Sequence, residues 1–459
     1  RLAMYGRPVS PGFLCLASLL LAVSVRAAEP IRFSEHLVQG KYGYAFGITA
    51  ADLDGDGDLD LTSGDVRGKP SLSKLYWFQN DGKGTFRRRL VSEKNSGWFE
   101  RHVVGDISGD GRPDIAIVNN RDGHLLWFAN NKTPATGPWK KYLITTNCHR
   151  AYDIVLLDID GDGDLDAAAA GYASNLITWF ENPGPKGWDK EWERQVIGEK
   201  MSEARVVCVG DFNRDGRPDL MAASVGAENV PADKTAFRDH GSRLVWYENI
   251  KGKTKAPWPM HVIDDRSRAQ IHGHPVDLDG DGDLDVVIAQ GMRDKLIARS
   301  RHGIAWYENL GSPGKGIRWQ QHRVAALPYA FEAVAGDLDG DGDVDIAATA
   351  WALGDRVAWY ENSGDPRKSW TAHTLKTDWG AANQLIIADL NGDGRLDIAA
   401  TADDGSRYTT GALELRWWKN LGNRKRVPRT VFNDDAQVLR EATDDDPAPF
   451  IRAWLDRES

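Results

Sequence analysis

The sequence predicts an all-β fold, a seven-bladed β-propeller of four-stranded antiparallel blades. Three observations carry that expectation. A nine-residue aspartate loop occurs seven times, a Trp-x-x-Asn segment follows every copy, and most repeats close on an aromatic-led strand. Loop starts lie 54, 52, 53, 66, 60 and 52 residues apart, the length of a four-stranded blade.

The loops share the pattern Asp-x-Asp-Gly-Asp-Gly-x-x-Asp, with oxygen-bearing side chains at positions 1, 3, 5 and 9. Those residues are Asp52, Asp54, Asp56 and Asp60 in the first copy and Asp106, Ser108, Asp110 and Asp114 in the second. The third has Asp158, Asp160, Asp162 and Asp166; the fourth has Asp211, Asn213, Asp215 and Asp219. Asp277, Asp279, Asp281 and Asp285 follow, then Asp337, Asp339, Asp341 and Asp345, and finally Asp389, Asn391, Asp393 and Asp397. Glycine at position 6 of every copy lets the backbone curl so that these groups converge. Position 7 is Asp or Arg, which suits a ligand supplied by the backbone carbonyl.

Calcium takes six to eight hard oxygen ligands, so up to seven structural Ca²⁺ sites are expected. An EF-hand is excluded, because position 12 holds Ser63, Ala169 or Ile288 instead of Glu and a strand-like apolar run follows. The chain carries a net charge of −10, and without its first 27 residues −13. Seven divalent cations would bring it near neutrality, and without them each loop clusters like charges.

The Trp-x-x-Asn tryptophans are Trp77, Trp127, Trp179, Trp246, Trp306, Trp359 and Trp417. Apolar neighbours on both sides, as in Leu125-Leu126-Trp127-Phe128, mark strands buried between sheets. Aromatic-led outer strands run Phe86–Val91, Trp192–Ile197, Trp258–Ile263, Trp319–Val324 and Trp370–Leu375, with Trp139 in the same series. His261, His322 and His373 recur at one place in them and read as packing residues. No such strand follows Trp417, whereas Phe33–Val38 looks like one standing before the first blade. That segment is expected to complete the last blade and close the ring.

Seven such loops, each between strands, resemble the FG-GAP/VCBS repeat family, which includes the propellers of integrin α subunits and many exported bacterial proteins. The resemblance covers about residues 31–420 and implies the propeller and its calcium sites. The Trp-Tyr-Glu-Asn and aromatic strands are also similar to the propeller of the aldos-2-ulose dehydratase family, whose cupin domains have no counterpart here.

The domain expectation is a signal peptide over 1–27, the propeller over 31–420 and a charged extension over 421–459. Arg7 ahead of the apolar run 12–25 and a small-residue site at 25–27 carry the first assignment. Met4 is the expected start, and Cys15 belongs to the apolar core of that segment. Export to the periplasm, cell surface or extracellular space follows, with no membrane span in the mature chain. Cys148 and Cys208 are then the two remaining cysteines, either bridged or free. A short helix is expected at 450–456.

Strand order places the aspartate loops on one face and the longer loops, 224–243 and 290–303, on the other. Five residues before each loop the inner strands carry Gly47, Arg101, Asp153, Val206, His272, Glu332 and Gln384, a polar ring in an otherwise aliphatic channel. His274 shares the face of His272 under strand periodicity. Ligand-binding candidates are Arg101, Tyr152, Asp153, His272, Glu332 and Gln384, with Glu100, Arg150, Trp98, Tyr329 and Trp379 nearby. The expected role is binding or adhesion toward a carbohydrate or protein at that face. The alternative is a sugar-directed lyase or dehydratase in which His272, His274, Glu332, Asp153 or Arg101 performs acid–base chemistry or holds a transition metal. The acidic chain excludes a nucleic-acid partner.

Overall fold

A computed structural model describes residues 31–67, 72–226, 242–250, 257–292, 298–311, 314–405 and 410–422. They form seven four-stranded antiparallel sheets, with Pro134–Thr136 and Arg299–Arg301 as the only helical turns among the described residues. The expected leader, nearly all of the C-terminal extension with its helix, and much of both long loops lie outside the described residues.

Six of the seven sheets follow chain order outward from the channel. In the third blade the strands are Ala151–Leu157, Asp166–Gly171, Leu176–Glu181 and Glu193–Gly198. The second strand, Asp-Ala-Ala-Ala-Ala-Gly, is buried throughout, because small residues let neighbouring sheets approach closely. The third strand brings the large side chain, and all seven Trp-x-x-Asn tryptophans are buried. His261, His322 and His373 stack on Trp246, Trp306 and Trp359 at 4.1, 4.6 and 4.2 Å between ring centroids. Their Nε2 atoms lie 2.9, 2.7 and 2.8 Å from Glu248, Glu308 and Glu361. These histidines are packing residues, as expected.

The last blade is built from both ends of the ring. Strand Phe33–Gln39 pairs with Glu414–Asn420, with Phe33 opposite Asn420 and Leu37 opposite Arg416. Cys148 and Cys208 are separate, buried free thiols, which settles the cysteine alternatives.

The ninth aspartate of every loop is the main polar anchor of its blade. In the third blade one Asp166 oxygen accepts the Ile159 N–H at 3.1 Å and the other accepts the Asn182 N–H at 2.7 Å. Asp60, Asp114, Asp219, Asp285, Asp345 and Asp397 each accept the equivalent asparagine N–H and one N–H from their own loop. The asparagine side chain then crosses to the preceding blade. Asn182 Nδ2 donates to Leu165 O at 3.1 Å and to Ile107 O of the second blade at 3.0 Å. Asn80, Asn130, Asn249, Asn309 and Asn420 make the same crossing to Leu390, Leu53, Ile159, Phe212 and Leu338. Asn182→Ala would orphan two buried carbonyls, and a loss on the order of 2–4 kcal/mol is expected from the denaturation midpoint.

Candidate functional site

The aspartate loops fall into two classes. In loops 1, 3, 5 and 6 the carboxylates of positions 1, 3 and 9 converge, their ligand oxygens within 4.8 Å of one another. These triads are Asp52, Asp54 and Asp60; Asp158, Asp160 and Asp166; Asp277, Asp279 and Asp285; and Asp337, Asp339 and Asp345. Position 5 is not a member of these triads; its carboxylates, Asp56, Asp162, Asp281 and Asp341, accept the N–H of position 7. Burial, reinforced by neighbouring carboxylates, pushes Asp60 and Asp345 up to about 8 and Asp166 and Asp285 up to about 9. Asp54 Oδ1 and Asp164 Oδ1 are buried without a hydrogen-bond partner. Converging, repelling carboxylates with vacant lone pairs suit a hard divalent cation, so the residues fit calcium.

Loops 2, 4 and 7 differ in a correlated way. Position 3 is Ser108, Asn213 or Asn391, and position 7 is Arg112, Arg217 or Arg395. Each guanidinium bonds the position-5 carboxylate of its own loop, Asp110, Asp215 or Asp393. Arg217 and Arg395 also donate to Asn249 O and Asn420 O at 2.8 and 3.0 Å. These loops contain three carboxylates with an internal cation, where the others contain five carboxylates.

At the channel, a β-bulge interrupts the pairing of every inner strand at the level of the polar ring. The irregularities fall between Phe46 and Thr49, Phe99 and His102, Ala151 and Asp153, Ala204 and Val206, Gln270 and Gly273, Ala330 and Glu332, and Ala382 and Leu385. A bulge re-aims side chains, so strict alternation fails there. His272 is fully buried against Tyr152 and Phe331, at 5.5 and 4.7 Å between ring centroids, while His274 lines the channel. The expectation that the two share one setting is corrected by this bulge.

The ring groups are bonded to one another. Arg101 reaches across to Glu332 and lies 3.6 Å from Asp153. His272 Nδ1 and His274 Nε2 lie 3.4 and 3.3 Å from the same Glu332 carboxylate. Asp153 accepts the Val207 N–H at 3.1 Å, and Gln384 accepts the Ile48 N–H at 3.2 Å. Burial opposes charge on Glu332, but Arg101 and the two histidines outweigh it and hold its carboxyl well below the usual range. Burial and then Arg101 depress His272 to about 3, so it is neutral. Among the described residues, the groups of three or more ligating side chains close enough to share an ion are the four aspartate triads; the His272, Glu332 and His274 group is not one of them.

Arg101, Asp153, Glu332 and Gln384 of the ring, together with His274, Cys208 and aliphatic strand residues, line a cavity of about 240 Å³. At the level of Tyr152, Phe46 meets Tyr152 and Phe331 edge-on, at 6.0 and 6.5 Å, joining the first, third and sixth blades across the axis. All three rings are buried, so aromatics fill the channel there. A second pocket, of about 410 Å³, lies off-axis between the second, third and fourth blades. Trp98, Glu100, Arg150, Tyr152, Tyr172 and Arg205 are among its lining residues. Glu100, Tyr152 and Arg205 are the second residues of inner strands, and Trp98, Arg150 and Tyr172 flank strands at the same end, opposite the aspartate loops. Tyr152 thus belongs to this pocket and the plug. Arg205 escaped sequence reasoning because strict alternation assigns the channel to Val206; the adjacent Glu203-x-Arg205 pair was the available signal.

An FG-GAP-like repeat model matches residues 52–117, 106–169, 158–222, 289–348 and 349–400, more than half of the chain. The chain belongs to the FG-GAP-like repeat family. Rattus norvegicus T-cell immunomodulatory protein is 23% identical over 258 residues, covering 54% of this chain and 37% of that protein. Mus musculus cartilage acidic protein 1 is 21% identical over 435 residues, covering 84% of this chain and 62% of that protein. The chain therefore spans less than two thirds of either relative. Among solved structures, BBS1N in complex with ARL6DN is similar with a TM-score of 0.49 at 12% identity, covering 87% of this chain and 98% of that one.

The channel gives a pH prediction. An unfolded histidine titrates near 6.5, whereas folded His272 stays neutral to about 3. As pH falls through that window the unfolded state binds the extra proton, so stability must fall with it. Denaturation midpoints between pH 7 and pH 4 should show this loss, with a shallower slope in His272→Phe.

Proposed function

We propose that the chain is an exported, calcium-loaded propeller that serves as a binding or adhesion scaffold. Its ligand, a carbohydrate or protein, engages the face opposite the aspartate loops. One observation carries the reading: cation-seeking carboxylates occupy one face, while an arginine- and aromatic-lined pocket occupies the other. The relatives' names refer to T-cell immunomodulation and to cartilage, and neither states a reaction. Export rests on the leading apolar segment, and no described helix is long and apolar enough to cross a membrane. A lyase at the channel would require free acid and base groups, whereas the carboxylates of Glu332 and Asp153 face Arg101.

The two loop classes set the expected metal stoichiometry. Calcium titration should resolve four tighter sites, in loops 1, 3, 5 and 6, and up to three weaker ones where arginine already bonds position 5. Chelation should lower the Tm, since a ligand held only by the folded state stabilises it. An unchanged Tm after chelation would remove calcium from a structural role. A glycan array probed with the calcium-loaded protein tests the scaffold reading, which expects retention without turnover. Release of a cleaved or dehydrated sugar would replace it with the lyase reading.

A further inference from the structure

The pocket between the second, third and fourth blades combines features that a purely structural cleft does not need. Arg205 forms its floor, with the guanidinium held between Tyr152 and Tyr172 at 4.5 and 4.4 Å from the ring centroids. Glu203 holds one end of that guanidinium at 3.2 Å, yet buried Arg205 Nε has no partner. Glu100 is also buried, and its Oε2 has no hydrogen-bond partner. Burial, with Asp403 adding to it, pushes this carboxyl up to about 8, so it carries a proton at neutral pH. Trp98 Nε1 is the third buried polar atom left without a partner.

The walls are set by the fold. Asn120 donates its backbone N–H to Trp98 O at 2.8 Å, and Tyr172 donates its own to Arg150 O at 2.9 Å. Arg150 has a left-handed φ of 47°, but Glu203, Ala269, Tyr329 and Ala381 repeat that conformation in other blades. It therefore belongs to the blade joint and is no sign of functional strain. The side chains are what distinguish this joint. Arg150 and Arg121 are exposed at the rim, and Trp98 and Tyr172 are half-buried walls.

We propose that this pocket binds an acidic saccharide, a sugar residue bearing a carboxylate. Rim and floor arginines receive the carboxylate, since guanidinium offers planar paired donors. The aromatic walls take the apolar C–H face of the sugar ring, and protonated Glu100 with Trp98 Nε1 answers the hydroxyls. A simple inorganic anion would use the arginines and leave the aromatic walls and Glu100 idle. The volume lies within the range of small-ligand sites. This inference rests on the scaffold reading and narrows it to one site and one ligand class.

The test uses the intact calcium-loaded protein and ligand-observed NMR or calorimetry. Oligogalacturonate and oligoglucuronate are compared with their methyl esters, which keep the shape and lose the charge, and with inorganic phosphate. Acidic oligosaccharides should bind about tenfold or more tighter than the esters, the effect of a charge-assisted bond. Arg150→Ala should abolish that preference, and Trp98→Ala should weaken both forms. Both residues lie outside the packed core, and unchanged Tm values would show that the fold is retained. Equal binding of acid and ester would overturn the acidic specificity but leave the scaffold reading standing. Phosphate competing as strongly as the oligosaccharides would reduce the site to an anion pocket. Absence of binding by every sugar would overturn the proposal. If a glycan array still retained the protein, the scaffold reading would survive with its site elsewhere.

Discussion

The structure depends on what the ninth aspartate of each loop does. A carboxylate buried at the root of a blade accepts N–H groups from its own loop and from the Trp-x-x-Asn asparagine. That asparagine then crosses to the loop of the blade before it. The cation-binding face and the joints between blades are therefore one hydrogen-bonded system. Packing of tryptophan against small-residue strands supplies the bulk of the burial, but it is not directional. The aspartate–asparagine contact is directional, and it gives each blade a defined place against its neighbour.

The same logic of burial decides which face can do chemistry. Charged groups in a narrow channel are costly unless paired, and Arg101, Asp153 and Glu332 pair with one another. Aromatics close over them. The polar ring thus ties five blades together across the axis, while Arg101, Asp153, Glu332 and Gln384 also line a cavity there. The off-axis pocket also keeps buried polar atoms without partners, and it differs from the ring in carrying arginines at an exposed rim.

Much of this was legible in the sequence because the repeat multiplies weak signals. Asp166 alone is an acidic residue before a strand; seven copies in step with Trp and Asn specify a blade. Ring closure by Phe33–Gln39 was also legible, since one strand was missing at the end and one was spare at the start. Three things were not. The seven bulges leave no mark in residue type, so alternation misjudged His272 against His274 and passed over Arg205. The asparagine crossing joins Asn80 to Leu390, far apart in sequence, and no local pattern encodes such a contact. The commitment of Arg101 to Glu332 depends on which blades face each other across a filled channel.

The closing blade has a consequence for assembly. Until Phe33–Gln39 returns, the strand Glu414–Asn420 is a sheet edge with unpaired backbone donors and acceptors. The contact that covers it spans nearly the whole described chain, and distant pairings form late. During that interval the first strand of another copy fits the edge as well as the chain's own, because the two are identical. A ring that seals with its own beginning is thus also one that two crowded, half-finished copies can seal for each other by exchanging strands.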